Sequence, residues 1–211
     1  MTKHIEDMDT EELRVLATAL QEENAWLKRH MSEDPLTGTY NRRGFKRVLK
    51  KEHARLVRED TPLGVLYLDL NDFKPVNDKF GHGVGDLLLQ AVCARIRSCI
   101  RDTDALCRVG GDEFTVILHN TRNIRTEFIA RRIAQSIAGE PFRFDGVDED
   151  IRVSVSVGGV STRDRGVTVQ ELIDASDRLM YQAKESSKTP SEQDPANEVG
   201  EHINIEVLTA S

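Results

Sequence analysis

A double glycine between two apolar runs is the feature that most restricts how this chain can fold. Residues 110–113 read Gly-Gly-Asp-Glu, with mostly apolar residues in 105–109 before them and in 114–118 after them. Two strands that meet at a glycine turn form a β-hairpin, so we predict a hairpin over 105–118 with two carboxylates at its tip. Carboxylates held close together suit the oxygen coordination of Mg²⁺, and an ordinary polar turn is the alternative interpretation.

A further carboxylate stands near the end of a predicted buried strand. Residues 63–70 are almost wholly apolar, which is typical of a central strand covered on both faces, and they include Asp69. A charge placed there needs a cation, a helix N-cap position or a local salt bridge. If this strand pairs with the hairpin, Asp69, Asp112 and Glu113 converge. Together with two Mg²⁺ ions they would form the clamp used in phosphoryl and nucleotidyl transfer.

Three other segments share their spacing with a known family. Residues 71–86 read Asn-Asp-Phe-Lys-Pro-Val-Asn-Asp-Lys-Phe-Gly-His-Gly-Val-Gly-Asp, residues 34–45 read Asp-Pro-Leu-Thr-Gly-Thr-Tyr-Asn-Arg-Arg-Gly-Phe, and residues 181–184 read Tyr-Gln-Ala-Lys. With the Gly-Gly-Asp-Glu-Phe run, the chain resembles the GGDEF family, the diguanylate cyclases, over roughly residues 34–188. The resemblance implies an α/β (α+β) domain with a mixed central sheet flanked by helices, similar to nucleotidyl cyclases and polymerase palm domains.

The resemblance implies a reaction and its metal ions. Two GTP molecules would be condensed to cyclic di-GMP and two pyrophosphates, with two Mg²⁺ (or Mn²⁺) ions in each active site. Asp69, the carbonyl of Leu70, Asp112 and Glu113 would hold the ions. Asp112 would also accept the proton of the attacking 3′-hydroxyl, unless the metal itself activates that hydroxyl. The alternative is a weak or inactive module that binds GTP or cyclic di-GMP as a sensor.

The resemblance also implies a set of substrate contacts. Asn77 and Asp86 match the family's guanine-reading positions, and a carboxylate can accept from both N1–H and N2–H₂ of guanine, a pair of donors that adenine lacks. Other positions would line the nucleotide pocket or bind phosphate, and they are Phe73, Lys74, His82, Lys184 and Lys188. For His82 an ordinary turn position is the alternative, and for each lysine it is a solvated surface charge.

The end of the domain departs from the family pattern. The family often closes with Lys-x-x-Gly-Arg-Asn, whereas this chain has Lys184-Glu-Ser-Ser-Lys188. A lysine in place of arginine loses the planar fork that grips phosphate with two hydrogen bonds. We therefore expect weaker GTP binding, which is also the best support for the sensor alternative.

A second ligand site is implied by Arg101-Asp-Thr-Asp104, which five residues separate from Gly110. This is the family's Arg-x-x-Asp site for inhibition by the cyclic product, at its usual offset. Arginine can stack on guanine and bind its Hoogsteen edge, while the carboxylate accepts from the opposite edge. A second arm of the site would be completed by Arg42, Arg43 and Arg132. A surface salt bridge at a helix end is the alternative.

The first 33 residues are predicted to form a dimerising helix. Asp9-Thr-Glu-Glu12 is a capping box, and leucines recur every seven residues with Asn24 on the partner seam. Such a pattern favours a parallel two-stranded coiled coil, while a helix lying on its own domain is the alternative. We therefore predict three parts, namely a helix over 1–33, a catalytic domain over 34–188 and a partly disordered tail over 189–211. The leucines are Leu13, Leu20 and Leu27.

Composition limits the partners. A formal charge of −7 and a pI near 5.4 argue against a nucleic-acid polymer as ligand. Cys93, Cys99 and Cys107 lack metal-ligand spacing and are interpreted as reduced packing residues. Without a signal peptide or an apolar run of membrane-spanning length, we expect no membrane insertion and a cytoplasmic location. The expected partners are GTP, cyclic di-GMP, a second copy of the chain and a regulatory protein.

Periodicity predicts the remaining elements. Residues 151–160 alternate cleanly, which predicts a strand with one solvated face. A polar turn is expected between the 63–70 strand and the next helix, and a short edge strand over 203–208. The predicted helices cover 41–59, 84–100, 122–138 and 168–186.

Overall fold

The computed structural model describes residues 8–188 and 203–209, without the side chains of residues 22–30 and 187–188. Its centre is a mixed six-stranded sheet with strand order β1-β3-β4-β2-β5-β6. The strands are β1 (Tyr40–Asn41), β2 (Leu63–Asn71), β3 (Ala105–Arg108), β4 (Glu113–His119), β5 (Ser154–Thr162) and β6 (Ile203–Val207). The helices are α1 (Thr10–His30), α2 (Arg42–Glu59), α3 (Phe73–Phe80), α4 (His82–Ser98), α5 (Asn123–Ala138) and α6 (Val169–Lys188).

The sheet is covered on both faces, which confirms the predicted α/β architecture. Strand β2 pairs antiparallel with β4 on one side and with β5 on the other. Its side chains alternate between two apolar clusters, one shared with α4 and α5 and the other shared with α2 and α6. Burial on both faces explains why β2 lacks polar alternation, since neither face meets water.

The prediction of a half-solvated strand over 151–160 is wrong in its exposure. Strand β5 runs over Ser154–Thr162, and every residue after its first is buried. Helix α5 covers one face of this strand and α6 covers the other. The alternating small hydroxyl residues are therefore packed beneath helices and do not mark a water-facing side.

The polar turn predicted after β2 contains a helix. Asp72 adopts a left-handed conformation with φ 60° and ψ 20°, which turns the chain out of the strand, and α3 begins at the next residue. Pro75 lies in the first helical turn, where its missing N–H costs no helical hydrogen bond. Gly81, with φ 84°, ends α3, and α4 follows at once, two residues before its predicted start.

The amino-terminal helix begins as its capping box predicts. The Asp9 side chain accepts from the Glu12 backbone N–H at 2.9 Å, and the Glu12 side chain accepts from the Asp9 N–H at 2.9 Å. Leu13 and Leu20 are 41% and 48% exposed. The coiled coil and the three-part division stay predictions. The side chains of Asn24 and Leu27 are outside the described set, and the predicted disordered stretch 189–201 lies outside the described residues.

The expected terminal edge strand is present as β6. It pairs parallel with β5, beginning with Ile203 beside Val157. Ile203 and Ile205 pack against the cluster beneath α5, and Leu208 packs on the opposite cluster. The strand therefore shields an edge of β5 that would otherwise be open.

Candidate active site

Strand pairing brings the predicted acids to one end of the sheet. The hairpin is formed by β3 and β4, and β4 pairs with β2 so that Glu113 lies opposite Asp69. One step beyond, the backbone N–H of Leu70 donates to the carbonyl of Asp112 at 3.2 Å. The register therefore places the acidic turn directly beside the end of the buried strand.

The glycine turn is held by an arginine that the sequence analysis did not identify. The Arg108 guanidinium donates twice to the carbonyl of Gly111, at 3.0 and 2.8 Å, and to the two carboxylate oxygens of Asp34 at 3.2 and 3.3 Å. Although burial opposes it, hydrogen bonds from Thr37 and the Arg108 charge lower the pKa of Asp34. This clamp ties the opening motif of the domain to the turn that precedes Asp112.

The first glycine of the turn makes room for an acid. A Cβ atom added at Gly110 would lie 2.3 Å from Oε2 of Glu113, closer than any real contact. The Glu113 carboxylate therefore folds back over the turn. Any residue larger than glycine at position 110 would displace it.

Asp69 is buried and paired with a lysine. The residue is 5% exposed, and its Oδ1 accepts from Nζ of Lys184 on α6 at 2.6 Å. Helix α6 approaches closely because β5 carries Gly158, where a Cβ would lie 1.9 Å from the backbone nitrogen of Met180. Met180 lies one helical turn before Lys184, so this close approach sets the position of the lysine beside the strand end.

Repulsion among the acids is visible at Glu113. Burial raises the pKa of this carboxyl group, and the charges of Asp69, Asp112 and Asp177 raise it further, while the charge of Arg42 lowers it. An adjoining cavity of about 550 Å³ is lined by acids of the sheet and of α6. A divalent cation would relieve this repulsion, so the chemistry of the donors fits Mg²⁺ or Mn²⁺.

The side chains themselves are not gathered as metal ligands. In the part of the chain that the structure describes, no group of three His, Cys, Asp or Glu side chains is arranged to hold a metal ion. Asp69 instead forms its ion pair with Lys184, which is the salt-bridge alternative considered for it. The strand ends converge as predicted, whereas the metal ligation stays a prediction.

Asn77, one of the two expected guanine readers, lies against α4 at the residue that precedes the other, Asp86. A Cβ at Gly85 would lie 1.9 Å from Oδ1 of Asn77 and 3.4 Å from the ring of Phe73. Asp86 is the next residue, so the amide and the carboxylate belong to the same corner. His82 lies in the first turn of α4 and is exposed. The glycine is thus required for the contact between the two helices.

The phosphate-binding candidates lie on two elements. Lys74 is exposed at the start of α3, next to the left-handed residue Asp72. A strained backbone of this kind often accompanies a binding site. Lys184 lies on α6 beside Asp69, and Lys188 is the last residue of that helix, with its side chain outside the described set.

The predicted product site is partly assembled. Arg101 and Asp104 line one surface pocket of about 360 Å³. The Asp104 carboxylate accepts from the backbone N–H groups of Arg101 and His119, both at 3.0 Å, so its orientation is set by the backbone. Arg132 donates to the carbonyl of Cys99 and lies against the ring of Phe128.

The cysteines are packing residues, as predicted. Cys93, Cys99 and Cys107 are free and buried. Burial raises the pKa of Cys93 to about 11 and that of Cys107 to about 12. The thiols of Cys93 and Cys107 therefore stay protonated at neutral pH.

Comparison with known proteins identifies the family. A profile described as "Diguanylate cyclase, GGDEF domain" matches residues 31–190. The chain belongs to the GGDEF-domain family. This confirms the resemblance drawn from the motifs, and the match covers strands β1 to β5, with the hairpin, and all of α6.

Curated relatives of this GGDEF domain have several names. It is 36% identical over 155 residues to Response regulator PleD of Caulobacter vibrioides, which covers 74% of this chain and 34% of PleD. It is 35% identical over 157 residues to Probable diguanylate cyclase DgcT of Escherichia coli, with coverages of 74% and 34%. It is 37% identical over 155 residues to Cyclic di-GMP phosphodiesterase PdeR of the same organism, with coverages of 74% and 23%. The chain therefore spans 34% of PleD and less of PdeR.

Solved GGDEF structures have the same fold. The coiled coil and GGDEF domain of DgcB from Caulobacter crescentus, in complex with c-di-GMP, has a TM-score of 0.74 at 22% identity and covers 96% of this chain and 100% of that one. Diguanylate cyclase SiaD in complex with its activator SiaC, from Pseudomonas aeruginosa, has a TM-score of 0.71 at 28% identity, with coverages of 93% and 68%. Among residues 8–188 and 203–209, no helix has the length and apolar character that crossing a bilayer requires.

Two acids of this GGDEF domain were missed by sequence reasoning. Asp174 and Asp177 line the same cavity as Asp69, Glu113 and Lys184. Their spacing contained a signal, because residues 177 and 184 are seven apart and therefore share one face of a helix. Neither acid belongs to the motif over residues 181–184 that carries the family resemblance on this helix.

Proposed function

We propose that this GGDEF domain is a diguanylate cyclase, which condenses two GTP molecules to cyclic di-GMP and releases two pyrophosphates. The observation that carries the proposal is the register that sets Glu113 opposite Asp69, with the Leu70 N–H bonded to the Asp112 carbonyl. An active module needs its acids at one sheet end, and all three are present there. The name of the DgcT relative is consistent with this activity.

The metal proposal follows from the donor set. Asp69, Asp112, Glu113 and the Leu70 carbonyl would hold two Mg²⁺ or Mn²⁺ ions. Bound ions would supply charge neutralisation for the triphosphate and acidify the attacking 3′-hydroxyl. The chain's own contribution would be the rigid turn, clamped by Arg108, and Asp112 as a nearby acceptor for the hydroxyl proton.

Substrate selection would come from the corner between α3 and α4. Asn77 and Asp86 would hydrogen-bond the guanine edge, with Phe73 and His82 lining the pocket. The proposed phosphate contacts are Lys74, Lys184 and Lys188. An adenine base lacks the paired donors that a carboxylate at position 86 requires, so we expect ATP to be rejected.

Product formation would need two copies of the chain. Each 3′-oxygen must attack the α-phosphate of the other nucleotide, and one domain presents one set of acids. A two-fold pair of domains brings the nucleotides together in antiparallel orientation. We propose that α1 forms the pair through Leu13 and Leu20, which are 41% and 48% exposed, and that a regulatory protein acts on this helix. The SiaD neighbour is described in complex with its activator SiaC.

The dimer proposal is tested with charge placed on and off the seam. Replacing both Leu13 and Leu20 with lysine is expected to lower the solution mass to that of a monomer and make turnover strongly dependent on concentration. Val15→Lys is the matched control, because Val15 is 65% exposed on the same helix but lies off the heptad seam. Equal masses for the seam variant and the control would reject pairing through α1.

Catalysis is tested by incubating the protein with GTP and Mg²⁺ and separating the products by chromatography. We expect cyclic di-GMP from the wild type and from Asp145→Ala, which changes an exposed turn residue. We expect no product from Asp112→Ala. If Asp112→Ala and the wild type produce the same amount, the site assignment is wrong.

The second candidate function is a sensor that binds nucleotide without converting it. The lysine at position 188 favours it, because the family's arginine fork is missing there, and so does the PdeR relative, which is named a phosphodiesterase. A sensor would bind GTP or cyclic di-GMP in equilibrium dialysis and yield no product in the chromatographic assay. Lys188→Arg separates the two, since a weak cyclase gains turnover and an inactive sensor does not.

Product inhibition is proposed at the Arg101 and Asp104 pocket, with Arg132 as a second arm. The support is the pocket that both residues line and the backbone-held orientation of Asp104. Arg101→Ala is expected to keep the initial rate and lose the slowing caused by added cyclic di-GMP. Arg125→Ala is the control, because Arg125 is also exposed but lies on α5 away from the pocket residues. Unchanged inhibition in Arg101→Ala would refute this site.

A further inference from the structure

The ion pair between Lys184 and Asp69 is a contact that a metal ion bound to Asp69 would have to break. Side-chain exposure is 7% for Asp69 and 32% for Lys184, and the Nζ to Oδ1 distance is 2.6 Å. A carboxylate buried to this degree requires a counter-charge. The ammonium group supplies that charge in the nucleotide-free protein.

Lys184 is one of two cations beside a group of four acidic side chains. The cavity beside the pair is lined by four acids, and its other cation, Arg178, bonds Glu206 at 3.3 Å. The four acids are Asp69, Glu113, Asp174 and Asp177. The position of Lys184 is set by the backbone, because α6 contacts β5 at Gly158 one turn earlier. The ammonium group is therefore held against Asp69, the most buried site of negative charge described for this cavity.

We propose that Lys184 and a divalent cation compete for Asp69, so that metal binding releases the lysine toward the nucleotide phosphates. The ammonium and the ion cannot occupy the same carboxylate oxygen, since Mg²⁺ binds oxygen at about 2.1 Å and repels a cation held beside it. A released lysine has an unbranched stem with freely rotating bonds and three donors for phosphate oxygens. Metal and nucleotide then favour each other's binding. The metal ion replaces the charge that Lys184 supplied to Asp69, and the nucleotide phosphates bind the ammonium group that the metal ion displaced.

This inference rests on the metal site proposed above and goes beyond it in one respect. A lysine whose only role is to bind phosphate would not affect metal binding in the absence of nucleotide. A competing lysine would weaken it. The two roles therefore differ in a measurement made with the metal ion alone.

The test is the affinity of the full chain for Mn²⁺ without nucleotide, measured by electron paramagnetic resonance of the free ion. Lys184→Met keeps the unbranched stem and removes the charge, and it is expected to bind Mn²⁺ about tenfold more tightly than the wild type. Lys184→Arg restores the cation and is expected to return the affinity to the wild-type value. Lys50→Met removes the same charge from an exposed position on α2 and is expected to change nothing.

A second measurement separates competition from general loosening of the site. With a GTP analogue that cannot be cleaved between its α- and β-phosphates, and with Mg²⁺ present, Lys184→Met is expected to bind about tenfold more weakly than the wild type, because a charged phosphate partner is gone. A damaged fold would weaken both binding events. Competition predicts opposite signs for the metal and the nucleotide.

The outcomes are distinct. Unchanged or weaker Mn²⁺ binding in Lys184→Met overturns the proposal. The same holds if Lys50→Met tightens Mn²⁺ binding as much as Lys184→Met does, or if neither Lys184→Met nor the wild type binds Mn²⁺ measurably. Asp112→Asn in the same assay tests the underlying metal site. If Asp112→Asn binds Mn²⁺ as tightly as the wild type does, the ion lies elsewhere and the proposed cyclase site fails independently of the lysine.

Discussion

Gly158→Ala is the substitution for which the structure gives the clearest magnitude. The new Cβ would lie 1.9 Å from the Met180 nitrogen and 2.5 Å from the Leu179 carbonyl carbon, whereas ordinary contact begins at 3.4 Å. Backbone atoms cannot rotate away, so α6 would have to move away from β5 by about 1.5 Å at this contact. Overpacking of this kind costs about 3 kcal/mol of unfolding free energy.

The adjacent glycine is a matched control on the opposite face of the same strand. A Cβ at Gly159 would approach the Val65 carbonyl oxygen at 3.2 Å, Cδ2 of Leu66 at 2.5 Å and Cδ1 of Ile205 at 2.7 Å, and the two closest atoms are ends of flexible side chains. Such ends can change rotamer, so Gly159→Ala is expected to cost about 1 kcal/mol or less.

Thermal unfolding followed by far-ultraviolet circular dichroism measures the difference. We expect Gly158→Ala to lower the thermal midpoint by about 6–12 °C, since a chain of this size loses about 2–4 °C per kcal/mol. The shift of α6 should also separate Lys184 from Asp69 and lower the binding of a GTP analogue. Equal losses for Gly158→Ala and Gly159→Ala would refute the argument that backbone contact, and not added volume, is responsible.

Three further predictions follow from single contacts. Arg95 donates to four carbonyls in and just after the last turn of α5, at 2.6–3.1 Å. Arg95→Ala should therefore lose about 2–3 kcal/mol of unfolding free energy in urea. A loss smaller than that of Arg97→Ala, which removes one hydrogen bond to a carbonyl, would contradict this prediction. The pKa of the Asp34 carboxyl group is lowered in the folded protein, so its ionised form stabilises the fold at neutral pH, and this stabilisation is lost as the pH falls through that pKa. The unfolding free energy of Asp34→Asn should therefore depend less on pH between about 5 and 3 than that of the wild type. Burial raises the pKa of Cys107 to about 12, so its thiol should resist thiol reagents until the protein unfolds, and rapid labelling of the native protein would show that this packing is wrong.

Much of the fold was predictable because its signals are local. The capping boxes at Asp9 and Thr168, the apolar β2 strand and the glycine turn are each encoded by residues that touch one another along the chain. Helix α3 was missed because its start depends on Asp72, a non-glycine residue in a left-handed conformation that sequence patterns do not favour. The exposure of β5 was wrong because alternation reports polarity, while burial depends on which helices cover the strand.

By itself, the sequence determined the family, most of the strands and helices in their order, and the acids at the end of β2 and at the hairpin turn, because turn chemistry and periodicity act over a few residues. Only the tertiary structure decided which distant groups meet. Lys184 contacts Asp69 across 115 positions, and Arg108 contacts Asp34 across 74. Such pairs depend on strand register and on close backbone approach at a glycine, and neither leaves a pattern in nearby residues. The physical reason is that a long-range contact is selected by the packing of whole elements, whereas a pattern records only the preferences of each element alone.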